Sequence, residues 1–245
     1  MRIKIAAILL AACSCAFTHG FGQITGVPPH PSVRLPDGEG SWTVLYTPRI
    51  TVAPKPGEKP VPPDPNALKA IYSVVDGGLR RDRLVWNSDK TTDIWKMDNQ
   101  WYFKDDANQR IASMTVFPGA QIYDGWKSLD RALIQHVVNS GTGTLTAYNQ
   151  IPALLFTEIR NGAPTSYMTA AVGPGEKPVV EKSPMGVFLN PQTFQPIAYV
   201  DADGSYYFKS ITETPPERLV PPPDFEAELQ LAHAAAYVPA APQHP

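Results

Sequence analysis

Beyond residue 15 the chain has no cysteine; its only two, Cys13 and Cys15, sit in the first apolar stretch. A chain without thiols past that stretch has no disulfide, no cysteine metal site and no cysteine nucleophile there, so its fold must stand on a hydrophobic core. Histidine is scarce too. Of His19, His30, His136, His233 and His244, only His136 falls in the middle of the chain, on or beside the apolar face of a helix. With no second ring at ligand spacing, it makes no zinc site. Gly-x-Ser-x-Gly, phosphate-loop and dinucleotide fingerprints are all missing. Positive charge is not in excess: 21 Lys and Arg face 23 Asp and Glu, for a net charge of -2. That balance gives no reason to expect nucleic acid or another polyanion as partner. No catalytic residue, metal or cofactor is therefore expected.

Long apolar runs are lacking as well. The opening MRIKIAAILLAACSCAFTHGFGQ sets Arg2 and Lys4 before an apolar run from Ile5, the layout of a secretory signal peptide. The run is too short to span a bilayer, which takes about 20 such residues. Gly20 and Gly22 suit cleavage after Gly22, which makes 1–22 the leader. Leu10-Ala11-Ala12-Cys13 also resembles a lipobox, in which Cys13 is lipidated and becomes the N-terminus. By either route the protein is expected in the periplasm or secreted, with outer-membrane attachment only if Cys13 carries lipid. Without Arg2 and Lys4, 19 basic residues face 23 acidic ones, a charge near -4.

What the chain does have is proline, unevenly placed. Of 27 prolines, 11 lie between Val27 and Pro65 and 8 between Pro215 and Pro245, leaving 8 from Asn66 to Thr214. APKPGEKPVPPDPN and TPPERLVPPPDF cannot hold helix or central strand and are expected as extended linkers or wraps. The division predicted is a proline-rich segment over 23–65 with one strand, a folded domain over 66–214, and a proline-rich tail over 215–245 with a short helix from Asp224. PGEKPV occurs at Pro56–Val61 and again at Pro174–Val179, too short a match for a duplicated domain.

From Ala67 onward, strand and turn alternate at a spacing of about ten residues, which predicts a mainly β fold. Strands are expected at Ile71–Val75, Asp82–Trp86, Thr92–Met97, Trp101–Lys104 and Ile111–Val116, with SWTVLYT (Ser41–Thr47) pairing to this set. A later group comprises Thr144–Tyr148, Ala153–Ile159, Tyr167–Val172, Gly186–Leu189, Ile197–Asp201 and Tyr206–Ile211. Asp203-Gly204 marks a hairpin. Read as a calcium loop, Asp201-Ala202-Asp203-Gly204 fails, because the twelfth position is Thr212 rather than Glu. Between the groups, SLDRALIQHVVNSG carries Leu129, Leu133, His136 and Val137 at helical spacing, with Ser128 as N-cap and Gly141 as stop.

Alternation sorts the stretch LRRDRLVWNSDKTTDIWKMDNQWYFKDD. Leu84 and Trp86 share one face of their strand, opposite Arg81 and Arg83; Trp95 goes with Met97, and Trp101 with Phe103. The tryptophans are expected on one side and most basic residues on the other, whereas a nucleic-acid platform needs both together. Asp105-Asp106 or Asp82 with Asp93 would have to sit about 5–10 Å apart across a cleft to hydrolyse a glycoside, and no spacing selects such a pair.

The order of leader, antiparallel strands bearing RRDRLVW and TTDIWKMDNQWYF, mid-chain helix, and MGVFLNPQTFQPIAYVDADGSYYFKSI resembles the LolA/LppX-like, lipoprotein-carrier-like superfamily, in an exported bacterial branch. The likeness covers Leu68 to Ile211. Phe188–Ile197 fits the family's strand-and-turn signature and Tyr206-Tyr207-Phe208 its closing strand, although Phe188 stands where the family has Trp and Asn190 where it has Asp. The resemblance implies a single curved antiparallel sheet, or half-barrel, covered by a helix. It also implies a concave apolar face that holds a lipid, an acyl chain or a lipoprotein without catalysis.

On that footing the expected lining is Leu84, Trp86, Trp95, Met97, Trp101 and Phe103, with Leu133 and Val137 on the covering helix, and Leu154, Phe156, Val200 and Tyr207 from later strands. The expected partner is a hydrophobic small molecule or a lipidated protein, bound by a monomer; membrane association would come only through Cys13. The competing readings are a carbohydrate-binding or structural envelope module with Trp86, Trp95 or Trp101 exposed to stack on sugars, and an envelope hydrolase. A helix that simply fills the concavity would leave neither an open cavity nor a ligand.

Overall fold

A computed structural model describes residues 28–48, 64–97, 100–105, 110–114, 129–171 and 179–236. The fold is mainly β. The first half is a meander of β1 (Glu39–Pro48), β2 (Leu68–Asp76), β3 (Leu79–Trp86), β4 (Thr91–Met97), β5 (Gln100–Asp105) and β6 (Arg110–Met114). Helix α1 (Arg131–Ser140) follows, and then β7 (Gly143–Tyr148), β8 (Ile151–Thr157) and the short pair β9 (Ile159–Arg160) and β10 (Ala163–Pro164). The hairpin of β11 (Ser166–Ala171) and β12 (Val179–Pro184) leads to β13 (Gly186–Leu189), β14 (Pro196–Val200) and β15 (Gly204–Thr212). Helix α2 (Pro223–Ala236) ends the described chain.

Eleven strands form one antiparallel sheet in the order β6-β5-β4-β3-β2-β1-β15-β14-β13-β8-β7, not closed into a barrel. The expected strands fall within one to three residues of these bounds, apart from two differences. Tyr167–Val172 corresponds to β11, which pairs with β12 in a separate two-stranded sheet that the proline-bearing sequence did not announce. Ile111–Val116 runs past Met114, beyond the described residues.

The two meanders meet at one seam. β1 pairs with β15 from Ser41↔Thr212 to Pro48↔Gly204, with a bulge at Thr43/Val44, and on its other edge with β2. The strand from the proline-rich N-terminal segment thus lies at the centre of the sheet. Glycine guards each end of the seam. A Cβ on Gly204 would sit 2.3 Å from the Thr47 carbonyl oxygen, and one on Gly40, whose φ is +144°, would sit 2.5 Å from that of Thr212.

The sheet curves strongly around α1. Seven strand spacings separate β4 from β8, which is roughly 33 Å in a flat sheet. Yet α1, with ten residues and a length of about 15 Å, reaches Arg80 and Lys96 on β3 and β4 at its N-terminal end and also packs on β8 and β13. Its N-cap is Asp130, whose side chain accepts from the Leu133 N–H, rather than the expected Ser128, which lies outside the described residues. Leu129 before the cap and Ile134 after it are both buried in the same core, a hydrophobic staple that sets the entry angle. The stretch Pro31–Leu35, from the proline-rich N-terminal segment, clasps the helix: Gln135 accepts from the Val33 N–H at 2.8 Å and donates to the Pro31 carbonyl at 3.1 Å.

On the opposite face of β2–β5 the C-terminal tail forms a strap. Glu217 pairs with Arg81, the Leu219 N–H donates to Asp76 at 2.8 Å, and Leu219 is buried. Helix α2 opens on Pro223, where no N–H is needed, and buries Phe225 against Trp95 and Tyr102 with ring centroids 5.9 and 5.5 Å apart.

Replacing Gly204 with Ala is expected to cost about 1–3 kcal/mol or more, because the seam's backbone has to give way. Replacing Gly162, a turn glycine with open space around its Cβ position but φ at +75°, should cost only the backbone strain, about 1 kcal/mol and at most about 2 kcal/mol. Urea unfolding of the two variants is the measurement; equal losses would count against the seam as the constrained point.

Candidate functional site

The inner face of β3 presents Arg80, Asp82, Leu84 and Trp86 in alternation, so two charges enter the same core as two large apolar groups. Asp82 is fully buried and Arg80 is 5% exposed. Arg80 Nε and Nη2 donate to Asp82 Oδ1 and Oδ2 at 2.8 and 2.9 Å, a fork-to-carboxylate match between residues two apart on one strand face. The guanidinium also lies 4.8 Å from the Trp42 ring and 5.1 Å from the Trp101 ring. Two matched bonds and two aromatic faces offset the large cost of removing these charges from water.

Asp130 extends this arrangement to the helix. Its Oδ1 caps α1, accepting from the Leu133 N–H at 2.9 Å. Its Oδ2 lies 3.6 Å from Arg80 Nη1 and 3.8 Å from Lys96 Nζ, both beyond a hydrogen bond. A cleft of about 230 Å³ opens here, lined by Trp42, Val75, Arg80, Lys96 and Asp130, with Asp37 at the rim. Trp42 and Ser73, neighbours across β1 and β2, each carry a buried polar atom without a hydrogen-bond partner among the described residues: the indole Nε1 and the hydroxyl Oγ.

Next to this polar end, the inner wall is apolar and filled. Leu84, Val137, Leu154 and Phe156 are buried there with Ile134, Val138, Val187 and Leu189, while Trp86, Trp101 and Leu133 pack against them partly buried. Phe103 pairs with Ile94 in register; its side chain lies outside the described residues. Four expected lining residues face the other way. Trp95 stands opposite Arg81 and Tyr102, on the outer side beneath the strap, and Met97 packs against that same outer cluster. Val200 and Tyr207 belong to a third cluster around Phe188 and Ala198; Tyr199 and Tyr206 take the inner positions instead.

Turn length explains the first reversal. The loop after Trp86 pairs Val85 with Thr91 and Asp82 with Ile94, so even-numbered residues of β3 meet even-numbered residues of β4, and Trp95 is turned outward. The next turn pairs Lys96 with Trp101, which restores Trp101 to the inner face. On the later strands the register itself decides: Phe156 pairs with Val187, Val187 with Tyr199 and Tyr199 with Tyr206, which carries the inner face to Tyr199 and Tyr206.

Trp95 is buried, and Trp86 and Trp101 are half-buried. Asp82 and Asp93 lie on opposite faces, since Asp82 stands across from Ile94, and each is held by its own arginine; Arg83 donates to Asp93 at 2.7 and 2.8 Å. Asp106 lies outside the described residues. His136 is exposed on α1 rather than set on its apolar face. Sequence reasoning missed Arg80, Asp82, Lys96, Asp130 and Trp42 as a group. The available signal was the parity of Arg80 and Asp82 with Leu84 and Trp86, because oppositely charged residues two apart on an apolar strand face can pair internally.

Among the described residues, no helix is long and apolar enough to cross a membrane. In comparisons with known proteins, the chain matches no family model, no curated protein and no solved structure.

Truncating Asp82 to Ala leaves a buried guanidinium without its carboxylate and is expected to cost about 3–5 kcal/mol. The double change Arg80→Met with Asp82→Leu should recover most of that loss in a thermal or urea melt. A second expectation concerns alkaline pH. Burial, reinforced by Glu158, pushes the Tyr199 hydroxyl up to about 12, and burial raises Tyr206 as well. Both must stay neutral in the fold, so their contribution is complete below the ordinary tyrosine value near 10 and is lost as pH rises through the raised values. Stability should fall steeply from about pH 10 to pH 12, and Tyr206→Phe should flatten that fall in melts followed by tyrosinate absorbance.

Proposed function

We propose that the protein is a non-enzymatic, exported binding or carrier module for a hydrophobic ligand, such as a lipid, an acyl chain or a lipoprotein, held against the inner wall of the curved sheet. The observation that carries this reading is the nature of the cover over that wall. Among the described residues, the helical cover is α1 alone, ten residues long, which buries Ile134, Val137 and Val138. Its N-terminal charge contacts to the sheet are at 3.6 and 3.8 Å, longer than hydrogen bonds.

Burying three aliphatic side chains contributes roughly 5–9 kcal/mol at 1.5–3 kcal/mol each. An acyl chain of about ten methylenes, at roughly 0.8 kcal/mol each, supplies a comparable amount. A ligand of that kind can therefore exchange with α1 on the wall at little net cost, while a small polar ligand cannot. The leader-like N-terminal sequence and the resemblance to lipoprotein carriers support the same reading, with the activity outside the cytoplasm.

The test is binding of a neutral fluorescent probe such as N-phenyl-1-naphthylamine to the purified protein and its displacement by lipid. Val137→Ala with Val138→Ala, which loosens the cover, is expected to tighten probe binding by about tenfold, a change of about 1.4 kcal/mol. No displaceable signal at any lipid concentration would sink the proposal.

A further inference from the structure

The polar end of the inner wall is built differently from the rest of it, and the difference points to what a ligand carries at its end. Three donor-bearing side chains, Arg80, Lys96 and Trp42, line the cleft of about 230 Å³. Arg80 spends Nε and Nη2 on Asp82, which leaves Nη1 at 3.6 Å from Asp130. Lys96 Nζ, on a side chain 30% exposed, is 3.8 Å from the same carboxylate. Trp42 lines the cleft while its buried indole N–H has no hydrogen-bond partner among the described residues, and Ser73 Oγ, in the same condition, sits on the strand paired with it, outside the cleft lining. A buried donor left without an acceptor costs about 1–3 kcal/mol, and the Trp42 indole N–H beside this opening is one that an entering acceptor would satisfy.

Against these donors stand two carboxylates. Asp130 gives Oδ1 to the α1 cap, and Asp37 at the rim lies 3.7 Å from Arg131. Asp82 is matched within its own ion pair. With Arg80 matched to Asp82 and Asp37 to Arg131, Lys96 and Asp130 are left to face each other, so the cleft carries no excess of positive charge; that excludes a polyanion and leaves room for one small acceptor group between Lys96 Nζ and Arg80 Nη1. The volume is that of seven or eight waters at about 30 Å³ each, enough for a carboxylate or phosphate group and too small for an acyl chain.

We infer that this cleft is the headgroup site of an anionic amphiphile: a carboxylate or phosphate monoester seated at Lys96, Arg80 and Trp42, with its hydrocarbon running along the inner wall. This rests on the hydrophobic-ligand reading above and narrows it to a ligand class. It also couples loading to release of the cover. A headgroup at this position competes with Asp130 for both cations and so loosens the N-terminal end of α1, the element that the hydrocarbon must displace.

The experiment compares displacement of a neutral probe by oleate, by oleyl phosphate and by oleyl alcohol, together with calorimetric titration of inorganic phosphate and acetate. Both anionic oleyl compounds are expected to displace the probe at about tenfold lower concentration than the alcohol, in line with one or two charge-assisted hydrogen bonds. Lys96→Met, at a half-exposed position outside the buried pair, should bring the three compounds to within about threefold by weakening only the anionic ones. Trp42→Phe should weaken the anions in the same sense, and the Lys96 variant decides the matter if that one folds poorly. Equal displacement by all three compounds, or an anion preference untouched by Lys96→Met, overturns the headgroup site and leaves the hydrophobic-ligand reading standing. Failure of every oleyl compound overturns that reading itself. Phosphate or acetate binding as tightly as oleate would assign the cleft to a free anion and overturn the amphiphile.

Discussion

Two strand meanders become one sheet only where β1 lies against β15, and every other feature depends on that seam. Its partners are far apart in sequence, Ser41 with Thr212 at one end and Pro48 with Gly204 at the other. Forming it requires closing a loop that contains most of the domain, a cost that local contacts cannot offset in advance. The seam sets the curvature because it joins two twisted halves edge to edge, and curvature lets one short helix touch strands that would otherwise be far apart. It also places Trp42, Val44 and Tyr46 at the centre of the inner wall, between Ile71 and Ser73 on one side and Tyr206 and Phe208 on the other. The close approach of backbone at Gly40 and Gly204 is the local condition for all of this.

From the seam outward, the sheet has two surfaces with different occupants. The inner one meets α1 and the clasp Pro31–Leu35, the outer one meets the strap that ends in Phe225. Proline serves both occupants for the same reason: a segment that cannot join a ladder or a helix lies flat across elements and contributes side chains at intervals. Val33 and Leu35 act in this way on one face, and Leu219 on the other. The tails are thus part of the packing, each closing a surface that a single-layer sheet leaves open.

The buried Arg80–Asp82 pair gives the inner wall a direction. Apolar side chains fill it toward β8 and β13, and charge gathers toward β3, β4 and the N-cap of α1. An interior ion pair is weak support for stability, since apolar residues of the same size do as well or better. Its retention next to unpartnered donors and an open cleft is easier to understand as a fixed polar end for an amphipathic ligand. That arrangement suits the hydrophobic-carrier reading.

Hydrophobic alternation, turn residues and helix periodicity, all local, were enough to determine most of the strand positions, the mainly β class and α1 by themselves, though not β9, β10 or β12. They also determined which residues share a face within one strand: Leu84 with Trp86, and Leu154 with Phe156. What they did not determine is which faces of different strands coincide. That depends on the parity of each turn and on bulges, where one residue more or less exchanges inside for outside. Hence Trp101 stands with Trp86 while Trp95 and Met97 do not, and Tyr199 and Tyr206 hold the places expected for Val200 and Tyr207. The polar end was hidden for the same reason. Arg80, Lys96, Asp130 and Trp42 come from four separate elements, and only the seam and the curvature it imposes bring them to one cleft.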